Sequence, residues 1–237
     1  MKFTDFPHIK LRQRNDYMTQ KTLGIDDRLH AYMLDHGIRE PELLKKLRLE
    51  TSKDPMARMQ VSPEQGQFMS MLVSIAQPKR ILEIGTFTGY SSLIMALAST
   101  DDVKIITCDK DKTWTSIAKK YWQESGQDHK ISLQLGEALE SISDLTEEYG
   151  EGSFDLIFLD ADKENYPNYY PLLKCLLKKG GLLLIDNVFW GGKVTHHDDD
   201  SEPTVGVRNM NKVLHQDKGM SISMIPISDG LTIARKL

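Results

Sequence analysis

A doubly wound α/β fold is predicted for this chain: a seven-stranded sheet whose last strand is antiparallel, preceded by N-terminal helices. Three observations predict it. From Arg80 onward, short apolar runs alternate with helical segments, the pattern of a parallel sheet covered on both faces. The last two apolar runs are separated only by Ser228-Asp229-Gly230, a tight turn that makes them a hairpin. Before residue 60, apolar positions recur instead at helical spacings of three and four.

The elements follow in order. Residues 23 to 36 (LGIDDRLHAYMLDH) and 41 to 50 (PELLKKLRLE) read as helices, the second opening with Pro41 at a helix-start position. Ser62 can serve as N-cap of a further helix running to about Ala76. Strands are expected at 80 to 84, 103 to 108, 131 to 135, 154 to 159, 181 to 186, 220 to 226 and 231 to 235. With 237 residues and 40% hydrophobic composition, one sizeable core and a single domain over 1–237 are expected. Residues 1–60 would be an appended helical layer, a lid or a subunit contact, and 61–237 the α/β core.

A formal charge of -4 gives no general pull toward nucleic acid, and no long Lys/Arg run creates a local one. Cys108 and Cys175 lie far apart inside apparent core elements, so buried free thiols are expected rather than a disulfide framework or a zinc motif. No long apolar leader opens the sequence and no apolar run reaches membrane-spanning length, so a soluble cytoplasmic protein is expected.

Two strand ends carry the chemistry. Phe154-Asp-Leu-Ile-Phe-Leu-Asp160-Ala-Asp-Lys163 runs from an apolar strand into carboxylates with a lysine beside them, and Gly181-Leu-Leu-Leu-Ile-Asp186-Asn187 ends similarly. Ligands sit outside the carboxyl ends of the strands in open parallel sheets. Asp160, Asp186 and Asn187 would then meet as an all-oxygen group, the ligand chemistry of a hard divalent cation.

A third strand end, Ile81-Leu-Glu83-Ile-Gly85-Thr-Phe-Thr-Gly89-Tyr-Ser91, is a strand, a glycine turn and a helix start. Gly85 and Gly89 would permit a sharp turn and close approach to a ligand, with exposed N–H groups at the following helix start favouring a negative group. The spacing is not the dinucleotide fingerprint, because Phe87 replaces its middle glycine. Glu83 would repel a pyrophosphate but hold an ammonium group. Asp109 ends the next strand 20 residues beyond Gly89, the separation of a ribose-diol acceptor. A ribose with an amino-acid tail describes S-adenosylmethionine, although either acid alone would more simply be a solvated strand end.

The segments Met59-Gln-Val-Ser-Pro-Glu-Gln-Gly66, LEIGTFTGYSS at 82 to 92, FDLIFLDADKENYPNYY at 154 to 170, GGLLLIDNVFWGGKV at 180 to 194 and Asp229-Gly-Leu-Thr-Ile-Ala234 resemble the cation-dependent O-methyltransferases of the caffeoyl-coenzyme A and catechol type. The resemblance spans roughly residues 20 to 237 and implies a Rossmann-like fold. It also implies that Met59, Val61, Glu83, Gly85, Thr86, Phe87, Gly89, Ser91, Asp109, Ala138, Asp160 and Asp162 contact S-adenosylmethionine. Glu83 would lie toward its methionine end, Asp109 on the ribose and Ala138 near the adenine. Asp160, Asp186 and Asn187 match metal ligands, for magnesium, manganese or calcium, and Lys163 matches the general base. A homodimer through the N-terminal helices is implied as well.

The chemistry agrees. Methyl transfer from a sulfonium is an in-line displacement that needs a deprotonated oxygen opposite the departing sulfur. A cation could chelate two vicinal hydroxyls and lower the pKa of one. Lys163, beside two positive charges, would have its pKa depressed toward neutrality and accept the phenolic proton. His196-His197-Asp198-Asp199-Asp200 reads rather as a solvated loop. Trp190 could line the substrate pocket or pack in the core. Tyr166, Tyr169 and Tyr170 have a spacing that more often means packing. The rivals are a nicotinamide-dependent oxidoreductase, disfavoured by Glu83 and Phe87, a nucleic-acid methyltransferase and a non-catalytic binding module. The substrate's walls should be the N-terminal helices and the segment 188 to 208.

Overall fold

The predicted alternation is realised in the computed structural model, which describes residues 24–237. Residues 1–23, including Leu23 where the first helix was expected to begin, lie outside the described residues. Strands β1 (Arg80–Ile84), β2 (Lys104–Asp109), β3 (Ile131–Leu135), β4 (Phe154–Leu159), β5 (Leu177–Ile185), β6 (Met220–Ile225) and β7 (Leu231–Lys236) form one 7-stranded sheet. Their order is β3-β2-β1-β4-β5-β7-β6. The first five pair parallel, whereas β7 inserts antiparallel between β5 and β6.

The helices are α1 (Asp27–Gly37), α2 (Glu42–Thr51), α3 (Pro63–Ala76), α4 (Tyr90–Ala98), α5 (Lys112–Glu124), α6 (Ala138–Tyr149), α7 (Tyr166–Leu176) and α8 (Glu202–Gln216). α1 begins later than its apolar spacing suggested because Asp26 caps it, its carboxylate accepting from the Leu29 N–H at 2.9 Å. α3 begins as predicted, with Ser62 accepting from Gln65 N–H at 3.4 Å and Pro63 in its first turn. β5 starts at Leu177 rather than 181. Lys178-Lys179-Gly180 lie before the predicted strand, but Leu177 is fully buried opposite Phe154 and carries α7 straight into the sheet.

Both faces of the sheet are covered, as continuous apolar strands require. On one face Leu44 and Leu47 of α2, Met69 and Val73 of α3, Leu93 of α4 and Tyr121 of α5 pack over Ile81, Phe158 and Leu184. On the other, Ile142 and Leu145 of α6, Leu173 of α7 and Met210 of α8 pack over Leu82, Ile157 and Ile185. Cys108 is buried and free as expected, while Cys175 is free but only half-buried, a correction to the buried pair read from the sequence. Among the described residues, no helix is long and apolar enough to cross a membrane.

Candidate active site

Register brings the acids together. Ile84, Leu159 and Ile185 are aligned across β1, β4 and β5, so the next residues, Gly85, Asp160 and Asp186, leave the sheet side by side. The ladder continues one step, Asp160 N–H donating to Ile84 O at 2.8 Å and Asp186 N–H to Leu159 O at 3.1 Å. Neighbouring strands run about 4.8 Å apart and side chains alternate faces. Two in-phase aspartates on adjacent strands must therefore crowd their carboxylates on one face. Asp186 registers the crowding: burial first, and then the Asp160 charge, push its carboxyl up to about 7, against the opposing pull of Lys163 and Gln65. Asn187 follows in left-handed backbone at φ 56. Its Nδ2 lies 3.4 Å from Asp229 Oδ2, which turns the amide's carbonyl oxygen away from that contact. Among the described residues, no group of three or more His, Cys, Asp or Glu is assembled as a metal cluster. The set here is two carboxylates and an amide, oxygen donors that fit a hard divalent cation better than a soft one.

Lys163 opens a 3-10 turn, Lys163–Asn165, three residues after Asp160. Its ammonium donates to Asp160 Oδ1 at 2.8 Å and Ala161 O at 2.9 Å, and lies 4.9 Å from the centre of the Tyr166 ring. Burial acts to lower its pKa, but Asp160 and Tyr166 outweigh that, and the net direction is upward. An anion in hydrogen-bond contact holds the proton on this lysine.

The three tyrosines are packed, as their spacing suggested, and their hydroxyls are tethers. Tyr166 donates to Leu159 O and Asp186 O, both at 3.3 Å, tying the two strand ends together. Tyr169 donates to Asp162 Oδ1 at 2.5 Å and Tyr170 to Asp217 Oδ2 at 2.6 Å.

Glu83 is fully buried on the same face of β1. Its Oε2 accepts from the hydroxyls of Ser92 and Thr107, while Oε1 has no partner. Burial raises the carboxyl to about 7, with Ser91, Ser92 and Thr107 holding it down. A buried acceptor with no donor is a mark of a missing ligand group, and an ammonium fits it.

The glycines answer first to the chain itself. Gly85 has φ +98, and a Cβ there would lie 1.9 Å from the Asp160 carbonyl oxygen. At Gly89, φ +81, a Cβ would lie 2.5 Å from Ala118 Cβ. Two N–H groups of the loop itself are engaged by the chain. Thr86 and Phe87 donate to Asp109 Oδ2 at 2.9 and 2.8 Å, and Asp111 N–H donates to Oδ1 at 2.9 Å. Asp109 thus braces the loop it was expected only to adjoin. Thr86 is buried, its hydroxyl 2.5 Å from that of Thr107, and Ser91 is buried in the first turn of α4.

Around this loop, Phe87 meets Trp114 edge-on with centroids 4.9 Å apart. Trp114 Nε1 donates to Asp54 Oδ2 at 3.1 Å, so the segment leading to α3 is anchored above the loop. Met59 is partly exposed there and Val61 is buried. Ala138 opens α6 two residues after Gly136, whose N–H donates to Asp109 O at 3.1 Å. A cavity of about 410 Å³ lined by Arg80, Lys104, Gln134 and Tyr149 lies elsewhere, beside α6, and takes no part in this constellation.

Four residues were missed from sequence. Gln65 of α3 is buried close to Asp186. Trp114 and Asp229 hold the loop aromatic and Asn187, the latter also accepting from Gly191 N–H at 2.7 Å. Gln65 and Asp229 stood inside segments already singled out, so their chemistry was in view without a partner to assign it. Arg208 of α8 donates to the carbonyls of Lys193 at 3.2 Å, Val194 at 3.1 Å and Asp199 at 2.9 Å, and to that of His196. No spacing in the sequence announces that clasp. His196 and His197 are exposed, as a solvated loop requires, and the Asp199 carboxylate accepts from Ser201 and Thr204. Trp190 is half-buried at φ 49.

The O-methyltransferase family profile matches residues 34–237. Tricin synthase 1 of Oryza sativa subsp. japonica is 36% identical over 98% of this chain and 97% of its own length. Caffeoyl-CoA O-methyltransferase of Eucalyptus gunnii is 38% identical over 94% and 93%. Among solved structures, the O-methyltransferase TomG of Streptomyces achromogenes, in complex with SAM, superposes with a TM-score of 0.80 at 30% identity, covering 88% of this chain and 96% of that one. An O-methyltransferase from Bacillus cereus in complex with SAH gives a TM-score of 0.82 at 26% identity, covering 89% and 97%. A match of this extent to profile, relatives and fold makes the chain a member of the O-methyltransferase family.

Proposed function

We propose that the protein transfers a methyl group from S-adenosylmethionine to one hydroxyl of a vicinal dihydroxyphenyl small molecule, using a divalent cation held by Asp160, Asp186 and Asn187. The observation that carries the reading is the in-phase pair Asp160 and Asp186, one of them 2.8 Å from the Lys163 ammonium. Crowded carboxylates of this kind are relieved by a cation. When bound, such a cation lowers the pKa of a chelated hydroxyl and fixes its direction of attack.

Glu83 Oε1 would receive the ammonium of the methionine tail and Asp109 the ribose hydroxyls. Met59, Val61, Gly85, Thr86, Phe87, Gly89, Ser91, Ala138, Asp160 and Asp162 would line the remainder. For Lys163 to accept a proton at Nζ it must first release one to solvent. Engagement of the Asp160 oxygens by another positive charge weakens the contact that now keeps Lys163 protonated, and general-base transfer from a phenol then follows. The relatives named for tricin and caffeoyl-CoA support a dihydroxyphenyl acceptor. A free catechol or flavonoid-like acceptor stands beside a thioester, with the 188 to 208 segment as its wall. Residues 1–60 would form a lid and the contact of a homodimer.

The test is methyl transfer from labelled cofactor to catechols, thioesters and flavonoids, with and without chelator. Transfer that survives complete metal removal overturns the cation's role, and no transfer to any dihydroxyphenyl compound overturns the substrate class. A monomer by light scattering at micromolar concentration would remove the dimer.

A further inference from the structure

The end of the sheet remote from the acid pair carries a charge pattern of its own. Arg80 and Lys104 open β1 and β2 and are register partners on adjacent parallel strands, so two cationic side chains leave the same face about 4.8 Å apart. Like charges directly opposite one another destabilise a sheet. The neighbouring acids do not relieve them, because Asp102 pairs with Lys79 at 2.6 Å and Asp155 pairs with Lys178. Among the described residues, neither Arg80 nor Lys104 forms an ion pair with a carboxylate. Arg80 is nonetheless held in place. Its Nη1 donates to Ser153 O at 2.9 Å, and its guanidinium lies 5.0 Å from the centre of the Tyr149 ring and 5.9 Å from that of Phe154. Both cations line the cavity of about 410 Å³ beside α6, a volume within the range of small-molecule sites. On β3, Ile131 packs into the core of the other face, whereas Ser132 and Gln134 line the cavity. Ile106 and Leu145, 8% and 2% exposed, close its apolar inner wall.

We propose that this cavity is a second ligand site, and that it takes a small organic monocarboxylate with an apolar ring. The carboxylate bridges Arg80 and Lys104, and the ring lies against Ile106, Leu145 and Tyr149. A planar guanidinium matches a carboxylate with two parallel N–H bonds, and the ammonium adds a second charge to the same oxygens. Glu148, the one acid on the lining, sets the limit. Two cations against one acid leave a single positive charge to be matched, so a phosphate dianion is disfavoured relative to a carboxylate. The Ser132 hydroxyl and Gln134 amide supply both donors and acceptors for a polar substituent on the ring. The occupant is clear of the strand-end site. Alternation along β1 puts Arg80 on the face opposite Glu83, and Lys104 stands at the far end of β2 from Asp109, about 16 Å away along the strand.

The probe is 2-naphthoate, titrated by calorimetry into the full-length protein at low salt, with chelator and saturating S-adenosylhomocysteine present to keep it from the strand-end site. Saturable binding with a Kd at or below about 1 mM is expected. 2-Naphthamide, the same ring without the charge, should bind at least about tenfold more weakly, and 2-naphthyl phosphate should also bind more weakly than the carboxylate. Lys104 is exposed, so its substitution spares the core. Lys104→Gln should weaken naphthoate binding about tenfold, and Lys104→Glu should weaken it further. Arg80→Lys keeps the charge but removes the fork, and should also cost about tenfold. Lys119→Glu makes the same charge change at an exposed position on α5 and should leave binding within about twofold of the parent. Absence of saturable binding to the parent overturns the proposal, as does equal affinity for the amide. Equal weakening by Lys104→Glu and Lys119→Glu would reduce the effect to net charge and overturn it too. Tighter binding of the phosphate would overturn the assignment of a monocarboxylate.

Discussion

Gly85→Ala tests whether the approach of the glycine loop to β4 is what positions the acid pair. A Cβ at position 85 would sit 1.9 Å from the Asp160 carbonyl oxygen, against about 3.4 Å for an ordinary contact, so the two backbones must separate by roughly 1.5 Å. A retreat of that size ruptures the adjoining Asp160 N–H bond to Ile84 O, now 2.8 Å. Three contributions add. Left-handed backbone for an L-residue costs about 1–2 kcal/mol, overpacking about 1–3 kcal/mol and the lost ladder bond about 1 kcal/mol. The total of about 3–6 kcal/mol corresponds to a melting point lower by about 6–24 °C for a chain of this size. Gly126→Ala is the control, because it shares positive φ at +69 but its Cβ would meet nothing within 4 Å. It should lose only the backbone contribution. Thermal denaturation of both variants decides the matter, with magnesium binding as a second readout that should weaken only in Gly85→Ala. Equal losses in the two variants would refute the reasoning, since backbone strain alone would then explain the glycine.

Lys163→Ala should lower kcat by about 10²–10⁴-fold, the usual contribution of a general base, with cofactor affinity nearly unchanged by calorimetry; equal loss of both would assign Lys163 a structural role. Asp186→Asn should change how stability depends on pH in chelated protein. Asp186 is held up to about 7 in the fold but ionises near 4 when unfolded, so the unfolded chain releases its proton first and folding loses stability as pH rises from about 4 to 7. The variant should therefore melt above the parent at pH 8 and close to it at pH 4, and a gap independent of pH would contradict the assignment. Arg208→Ala removes the clasp on the carbonyls of Lys193, Val194 and Asp199. It should raise the KM for the acceptor by about tenfold while leaving the Kd for cofactor alone, and steady-state kinetics with calorimetry will show whether the loop matters to the acceptor.

Much of the fold was legible because its signals are local. Apolar runs, Ser62 before Pro63, and Ser228-Asp229-Gly230 each act within a few residues, and each element they predict is present. The failures share a cause. Lys178 and Lys179 lie in a strand because Leu177 found a buried partner in Phe154, which no local pattern encodes. Asp109 was read only as a ligand acceptor, and its further work, accepting three backbone N–H groups, was not seen. Its carboxylate had the right place in sequence, but its partners are set by the path of a loop more than 20 residues away.

The sequence by itself determined the strand ends and the residue types they present: Glu83, Asp109, Asp160, Lys163, Asp186 and Asn187 are the chemistry, and they are fixed by position after apolar runs. Tertiary structure decided what those groups do to one another. Register across β1, β4 and β5 crowds Asp160 against Asp186, and the Asp160 contact holds the Lys163 pKa up. It also brought in Gln65 from a helix about a hundred residues away in sequence from either acid. Electrostatic interaction depends on separation in space and on burial, and neither is written in the spacing of residues along a chain.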